Sequence, residues 1–103
     1  MVTLIYSNSS LKDIENIKEF ISTDSVVNAN RFIKNIRERI TLLKHHPEAG
    51  TALCPGRFKN LRKLLFKSYR IIYQYTDEKI TIITVHHQLR LIENVQAIKE
   101  YKE

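Results

Sequence analysis

The sequence predicts an α+β fold of β-α-α-β-β-β order. An N-terminal strand leads into an antiparallel helical hairpin. The hairpin packs on one face of an antiparallel β-sheet, and a short C-terminal helix or tail follows. Three observations carry this reading. Apolar residues between positions 11 and 43 recur every three or four residues, the period of a helix. Those between 61 and 87 alternate instead, the period of a strand. The two patterns do not interleave, so helices and strands are segregated along the chain.

Residues 2–6, Val-Thr-Leu-Ile-Tyr, are β-prone, and "SNSS" after them offers helix N-caps. Leu11, Ile14, Ile17 and Ile21, with Phe20 beside the last, form one helical stripe. "STDS" interrupts it, and Asp24 or Ser25 can cap a second helix. Its stripe is Ala29, Phe32, Ile33, Ile36, Ile40 and Leu43, and Pro47 ends it. The short break makes the pair a hairpin. "EAGTALCPGRFKN" reads as a loop. Positions 61–66, 69–75 and 80–87 then read as three strands. Their connections are short enough only for antiparallel hairpins. Leu91, Val95 and Ile98 return to helical spacing near the C-terminus.

The 103 residues suit a single domain spanning 1–103. No apolar run approaches membrane-spanning length, so no membrane partner is expected. "MVTLIYSNSS" lacks the basic start and apolar stretch of a secretory signal. The single Cys54 excludes an internal disulfide and fits a reducing cytoplasm. Net charge is +6, which attracts nucleic acid or an acidic protein. The charge is concentrated: Arg57, Lys59, Arg62, Lys63, Lys67 and Arg70 fall within 57–70 with no acid among them.

Strand alternation sorts the meander into two faces. A four-residue loop over 76–79 would set Tyr75 opposite Ile80 and Arg70 opposite Val85, with His87 diagonal to Arg70. A turn at Lys67-Ser68 would set Leu65 opposite Arg70 and Lys63 opposite Ile72. One face then holds Lys63, Leu65, Arg70, Ile72, Gln74, Ile83, Val85 and His87. The other holds Leu64, Phe66, Tyr69, Ile71, Tyr73, Tyr75, Ile80 and Ile82. The second set is the more apolar and is assigned to the helices. Lys63, Arg70 and His87 thus converge on the uncovered face, with Arg90 at its rim. Lysine and arginine bind phosphate oxygens, and histidine moves protons near neutral pH. The trio could bind or cleave an RNA phosphodiester, and spacing alone favours anion or partner binding. His86 and His87 point to opposite faces and make poor co-ligands for a metal. His45 and His46 suit a helix C-terminus. No cofactor or metal is expected, and no glycine loop for phosphate is present.

At "SYRIIYQYTDEK" and "VHHQLRLI" the chain resembles the RelE/ParE superfamily of bacterial type II toxins. The resemblance extends through "LKDIENIKEFIS" and "ANRFIKNIRERITLLKHHPEAG". The "HPEAG" passage and "VHHQLR" are most similar to the ParE-like, plasmid-stabilisation branch. The resemblance implies a cytoplasmic, growth-inhibiting toxin neutralised by a cognate antitoxin, with operator DNA bound only through that antitoxin. ParE-type members are associated with inhibition of DNA gyrase. RelE-type members cleave messenger RNA on the ribosome without metal. Lys63, Arg70 and Arg90 fall at matching basic positions of the RelE type. Leu61 stands where another lysine is expected, and Gln96 near an expected catalytic tyrosine. The expected function is gyrase inhibition. The alternative is a metal-independent, ribosome-dependent endonuclease using Lys63, Arg70, His87 and Arg90. A toxin without activity, serving as a DNA-binding complex with its antitoxin, is a third reading. Lys63, Arg70, His87 and Arg90, with the apolar Leu91, Val95 and Ile98, are the expected partner-binding set.

Overall fold

The computed structural model describes residues 2–53, 58, 60–89 and 96–99. After strand β1 (Thr3–Tyr6), helix α1 (Asn8–Ser22) starts where the Ser7 hydroxyl accepts the Ser10 N–H at 3.1 Å. The cap lies in "SNSS", and the helix begins one turn ahead of the apolar stripe. Ser25 caps α2 (Val26–Thr41) in the same way, accepting the Asn28 N–H at 3.1 Å. Each such cap is worth about 1 kcal/mol over alanine. A tight 3-10 turn, Leu42–Lys44, closes α2 before Pro47.

Strands β2 (Thr51–Ala52), β3 (Leu61–Phe66), β4 (Tyr69–Thr76) and β5 (Lys79–His87) complete a sheet of order β1-β5-β4-β3-β2. The meander β3–β4–β5 is antiparallel, as expected, with Leu65 opposite Arg70 and Lys63 opposite Ile72. β1 is different: it pairs parallel to β5, Thr3 beside Lys79 and Tyr6 beside Ile82, so the whole sheet is mixed. Parallel neighbours need a long crossover, and everything from α1 to β4 supplies it.

The β4–β5 connection is tighter than the four-residue loop expected. Thr76 pairs with Lys79, and only Asp77 and Glu78 turn, with φ of 51° and 58°. Two positive φ values match the twist of a two-residue hairpin. A side chain in that region costs about 1–2 kcal/mol, part of which glycine loses again through unfolded-state entropy. Glu78→Gly is therefore expected to raise stability by about 0.5 kcal/mol, read as a small rise in melting temperature. A fall would mean that contacts of the glutamate outweigh its backbone strain.

A bulge interrupts β5. Tyr73 pairs with Ile82, but Ile72 pairs with Thr84, which leaves Ile83 as the extra residue. The register expected beyond it is therefore wrong by one. Arg70 lies opposite His86, not Val85, and Tyr69 lies opposite His87. Val85 is carried into the core beneath the helices.

That core joins Ile14, Ile17, Phe32, Ile36, Ile40 and Leu43 of the helical segment to Leu64, Ile71, Tyr73, Ile80, Ile82 and Val85 of the sheet. Ile36 and Ile40 are completely buried. Burying each isoleucine contributes about 1.5–3 kcal/mol. Phe32 meets Phe66 and Tyr69 edge-on, at centroid distances of 5.5 and 5.3 Å. The assignment of Leu64, Phe66, Tyr69, Ile71, Tyr73, Tyr75, Ile80 and Ile82 to this face agrees with the packing. Past Tyr6, β1 no longer covers the edge of β5. Asp13 of α1 takes over there, accepting the Val85 N–H at 3.1 Å and the Thr84 hydroxyl. A buried ladder donor left open would cost about 1–3 kcal/mol, so this carboxylate fastens α1 to the strand.

Candidate functional site

The sheet face away from the hairpin carries Lys63, Leu65, Arg70, Ile72 and His86. Alternation along β3 and β4 places the first four there. The bulge, acting on β5, adds His86 to them. Arg70 Nε donates to His86 Nε2 at 3.0 Å. A ring nitrogen that accepts must be unprotonated, so this bond assigns the neutral imidazole proton to Nδ1. His86 is 4% exposed, so it holds the guanidinium from below rather than meeting solvent. The stem of Arg70 is thereby fixed, while both Lys63 and Arg70 remain partly exposed.

His87 is on the other face. Its ring stands edge-on to Tyr69 at 5.6 Å, and its Nδ1 accepts the Leu89 N–H at 3.1 Å. The expected trio of Lys63, Arg70 and His87 is therefore not assembled: one extra residue in β5 rotates His87 away and brings His86 to Arg70. Arg90, Leu91 and Val95 lie outside the described residues. Ile98 does not project into solvent. The short helix α3 (Gln96–Lys99) lays it, 3% exposed, on Leu53, Leu61 and Ile72, with Phe58 and Ile83 alongside. The lower part of this sheet face is thus covered by the chain's own C-terminal segment. A partner that used Ile98 would first have to displace it.

A second polar arrangement goes beyond the sequence expectations. The buried Tyr73 hydroxyl donates to the Pro47 carbonyl at 2.8 Å and accepts the Gly50 N–H at 2.9 Å. Arg62 donates to the Gly50 carbonyl at 2.7 Å and stands 3.9 Å from the Glu48 carboxylate. "HPEAG" is thus a loop clamped from its inner side. The sequence cue is Tyr73 between Ile71 and Tyr75 on the core face, because a buried phenol needs a partner. Burial raises the Tyr73 hydroxyl above the ordinary tyrosine value of 10.0, opposed by the Gly50 N–H and Arg62. Burial also raises Tyr6, opposed by Arg37. The folded state then holds these protons more tightly than the unfolded chain. The corresponding stability is complete below 10.0 and is lost as pH climbs through the folded-state values. Tyr73→Phe is expected to cost about 1–3 kcal/mol at neutral pH and to flatten the alkaline decline. Urea titrations at neutral pH and above the tyrosine range would check both. An unchanged neutral-pH midpoint would dismiss the clamp.

His45 and His46 are exposed beyond the 3-10 turn. Among the described residues no group of histidine, cysteine and carboxylate side chains is arranged to hold a metal. No helix among them is long and apolar enough to cross a membrane.

Residues 4–92 match the family described as ParE toxin of type II toxin–antitoxin systems, parDE. The chain belongs to the ParE toxin family. This ParE-family toxin shares its fold with a chain of the chromosomal ParDE system from P. aeruginosa, at TM-score 0.72 and 16% identity, covering 84% of this chain and 96% of that one. It is also similar to a chain of the RelBE2 toxin–antitoxin complex from Mycobacterium tuberculosis, at TM-score 0.63 and 18% identity, covering 84% and 98%. A conserved protein from Helicobacter pylori matches at TM-score 0.54 and 19% identity, covering 87% and 98%. No match was found among curated proteins. The RelE/ParE superfamily and its ParE-like branch, expected from the motifs, are therefore those of this type II toxin.

Proposed function

We propose that this ParE-family toxin inhibits DNA gyrase without hydrolysing a substrate. In this reading it acts in the cytoplasm and is neutralised by a cognate antitoxin. Operator DNA is reached only through that antitoxin. The observation that carries the reading is the separation of His87 from Lys63 and Arg70. A nuclease must move protons at the attacking and the leaving oxygen. Beside Lys63 and Arg70 stands His86, buried and accepting from Arg70, while the exposed His87 faces the other way. The cationic face supports binding to an anionic or acidic surface better than it supports proton transfer. The antitoxin is supported by the family and by the ParDE and RelBE2 systems that share the fold.

The test is induction in cells with parallel assays of gyrase supercoiling and messenger RNA cleavage. Wild type and His87→Ala are both expected to block supercoiling with transcripts intact. A required general acid–base group would cost about 100- to 10,000-fold on removal. Ribosome-dependent transcript cleavage that disappears in His87→Ala, with normal supercoiling, would replace this reading with the endonuclease using Lys63, Arg70, His87 and Arg90.

A further inference from the structure

We propose that the recess between the end of α2 and the edge of β3 anchors one apolar side chain of an acidic, extended segment of the antitoxin. This rests on the partnership proposed above and gives it a place and a chemistry. The recess measures about 180 Å³ and is lined by Arg39, Leu42, Leu43, His46, Ala49 and Leu64. Leu43 and Leu64 form a buried floor, whereas Leu42 is 54% exposed. An aliphatic cavity of about 150 Å³ accepts benzene, so this one suits a single leucine or phenylalanine side chain.

The neighbouring backbone suits an extended segment. The Leu53 N–H donates to the Leu61 carbonyl at 3.0 Å, so Leu61, Lys63 and Leu65 direct their backbone groups to the outer edge. β2 begins at Thr51, opposite Lys63. The Tyr73 hydroxyl holds the preceding Gly50 against the helix-side face. Among the described residues no strand lies beside Leu65, which is 52% exposed. A segment laid there can pair with the Leu65 amide and carbonyl and drop a side chain into the recess.

Charge decides the occupant. Arg39 and His46 stand at the recess, and Lys44 beside them is exposed. At the far end of β3 the Lys67 ammonium rests 5.9 and 5.8 Å from the ring centroids of Phe32 and Phe66. Of the nearby acids, Glu48 already stands 3.9 Å from Arg62, and Glu38 precedes Arg39 on α2 without lining the recess. Carboxylates flanking the anchor would meet Arg39 and Lys44 at the recess and Lys67 at the far end of β3. A second copy of this chain would set +6 against +6 and is disfavoured.

Ala49→Leu fills the recess and Arg39→Glu reverses its rim; both positions are exposed. Each variant is expected to bind the co-expressed antitoxin at least tenfold more weakly than wild type. Glu15→Lys, on the exposed side of α1, is expected to bind as wild type does. Circular dichroism would verify that all three fold. The second arm titrates a synthetic acidic peptide with one central phenylalanine into labelled protein. Amide shifts are expected at Leu42, Ala49, Leu64 and Leu65, and their loss is expected when the peptide's phenylalanine becomes alanine. Antitoxin affinity unchanged in both recess variants overturns the proposal and leaves the partnership standing. If no antitoxin binds the wild type, the partnership falls and the peptide decides the recess: shifts there support it, while shifts elsewhere or none overturn it.

Discussion

Gly50→Ala is expected to lower the melting temperature by about 12–24 °C, the equivalent of about 3 kcal/mol in a chain of this size. A Cβ at this position would lie 2.6 Å from the Lys63 carbonyl oxygen and 2.8 Å from both the Tyr73 ring and its hydroxyl. Neither neighbour can retreat at small cost. The Lys63 carbonyl is backbone, in a strand held by β2 and β4 on its two sides. Tyr73 is completely buried, and its hydroxyl is tied to Pro47 and Gly50. Relief must come from moving the loop, which breaks the Gly50 N–H bond and the Arg62 bond to the Gly50 carbonyl. Ala49→Gly, one residue earlier and exposed, is the control and should shift the transition far less. A Gly50→Ala melting temperature within about 2 °C of wild type would mean the loop can slide.

On the proposed reading, Lys63→Glu combined with Arg70→Gln is expected to raise the concentration needed for gyrase inhibition about 100-fold or more. Placing like charges across an interface costs several kcal/mol, and each 1.4 kcal/mol is about tenfold in affinity. Glutamine at Arg70 keeps a donor for His86, so the loss would not come from stranding the buried ring. Melting temperature and circular dichroism should stay near wild type. Full inhibition by this variant would place the target surface elsewhere on the molecule. Inhibition lost together with the melting transition would trace the effect to folding instead.

Most of the architecture could be read from periodicity. The helical stripes, the caps in "SNSS" and at Ser25, and the β3–β4 register all follow from local sequence. The place of β1 does not, because nothing within residues 3–6 specifies a partner at 79–82. The site failed on one residue. Ile80 and Ile82 share a face, and Val85 joins them although its parity is opposite. The sign that the sequence carries is the adjacent pair Ile82 and Ile83, which breaks the alternation where the bulge falls. A regular ladder continued to His87 places that residue one position out. Ile98 departs from expectation for a related reason: its apolar stripe is visible in the sequence, but the intramolecular surface of Leu53, Leu61 and Ile72 that receives it is not.

The parallel seam between β1 and β5 bears on how the chain is made. A ribosome delivers β1 before β5, so β1 stays without its neighbour until β5 emerges. The Ser7 hydroxyl, for example, waits for a carbonyl 76 residues downstream at Ile83. Asp13 depends on the Thr84 and Val85 segment in the same way. At about 5–20 residues per second, this interval lasts roughly 4–16 s. During it the helical hairpin has no sheet to cover, and the closure is of the long-range kind that folds slowly. A chain released before Lys79 would lack β5, the strand that joins β1 to β4, so β1 would have no place in the sheet. Prematurely terminated products should therefore be unfolded and readily proteolysed, and growth inhibition should require synthesis through β5.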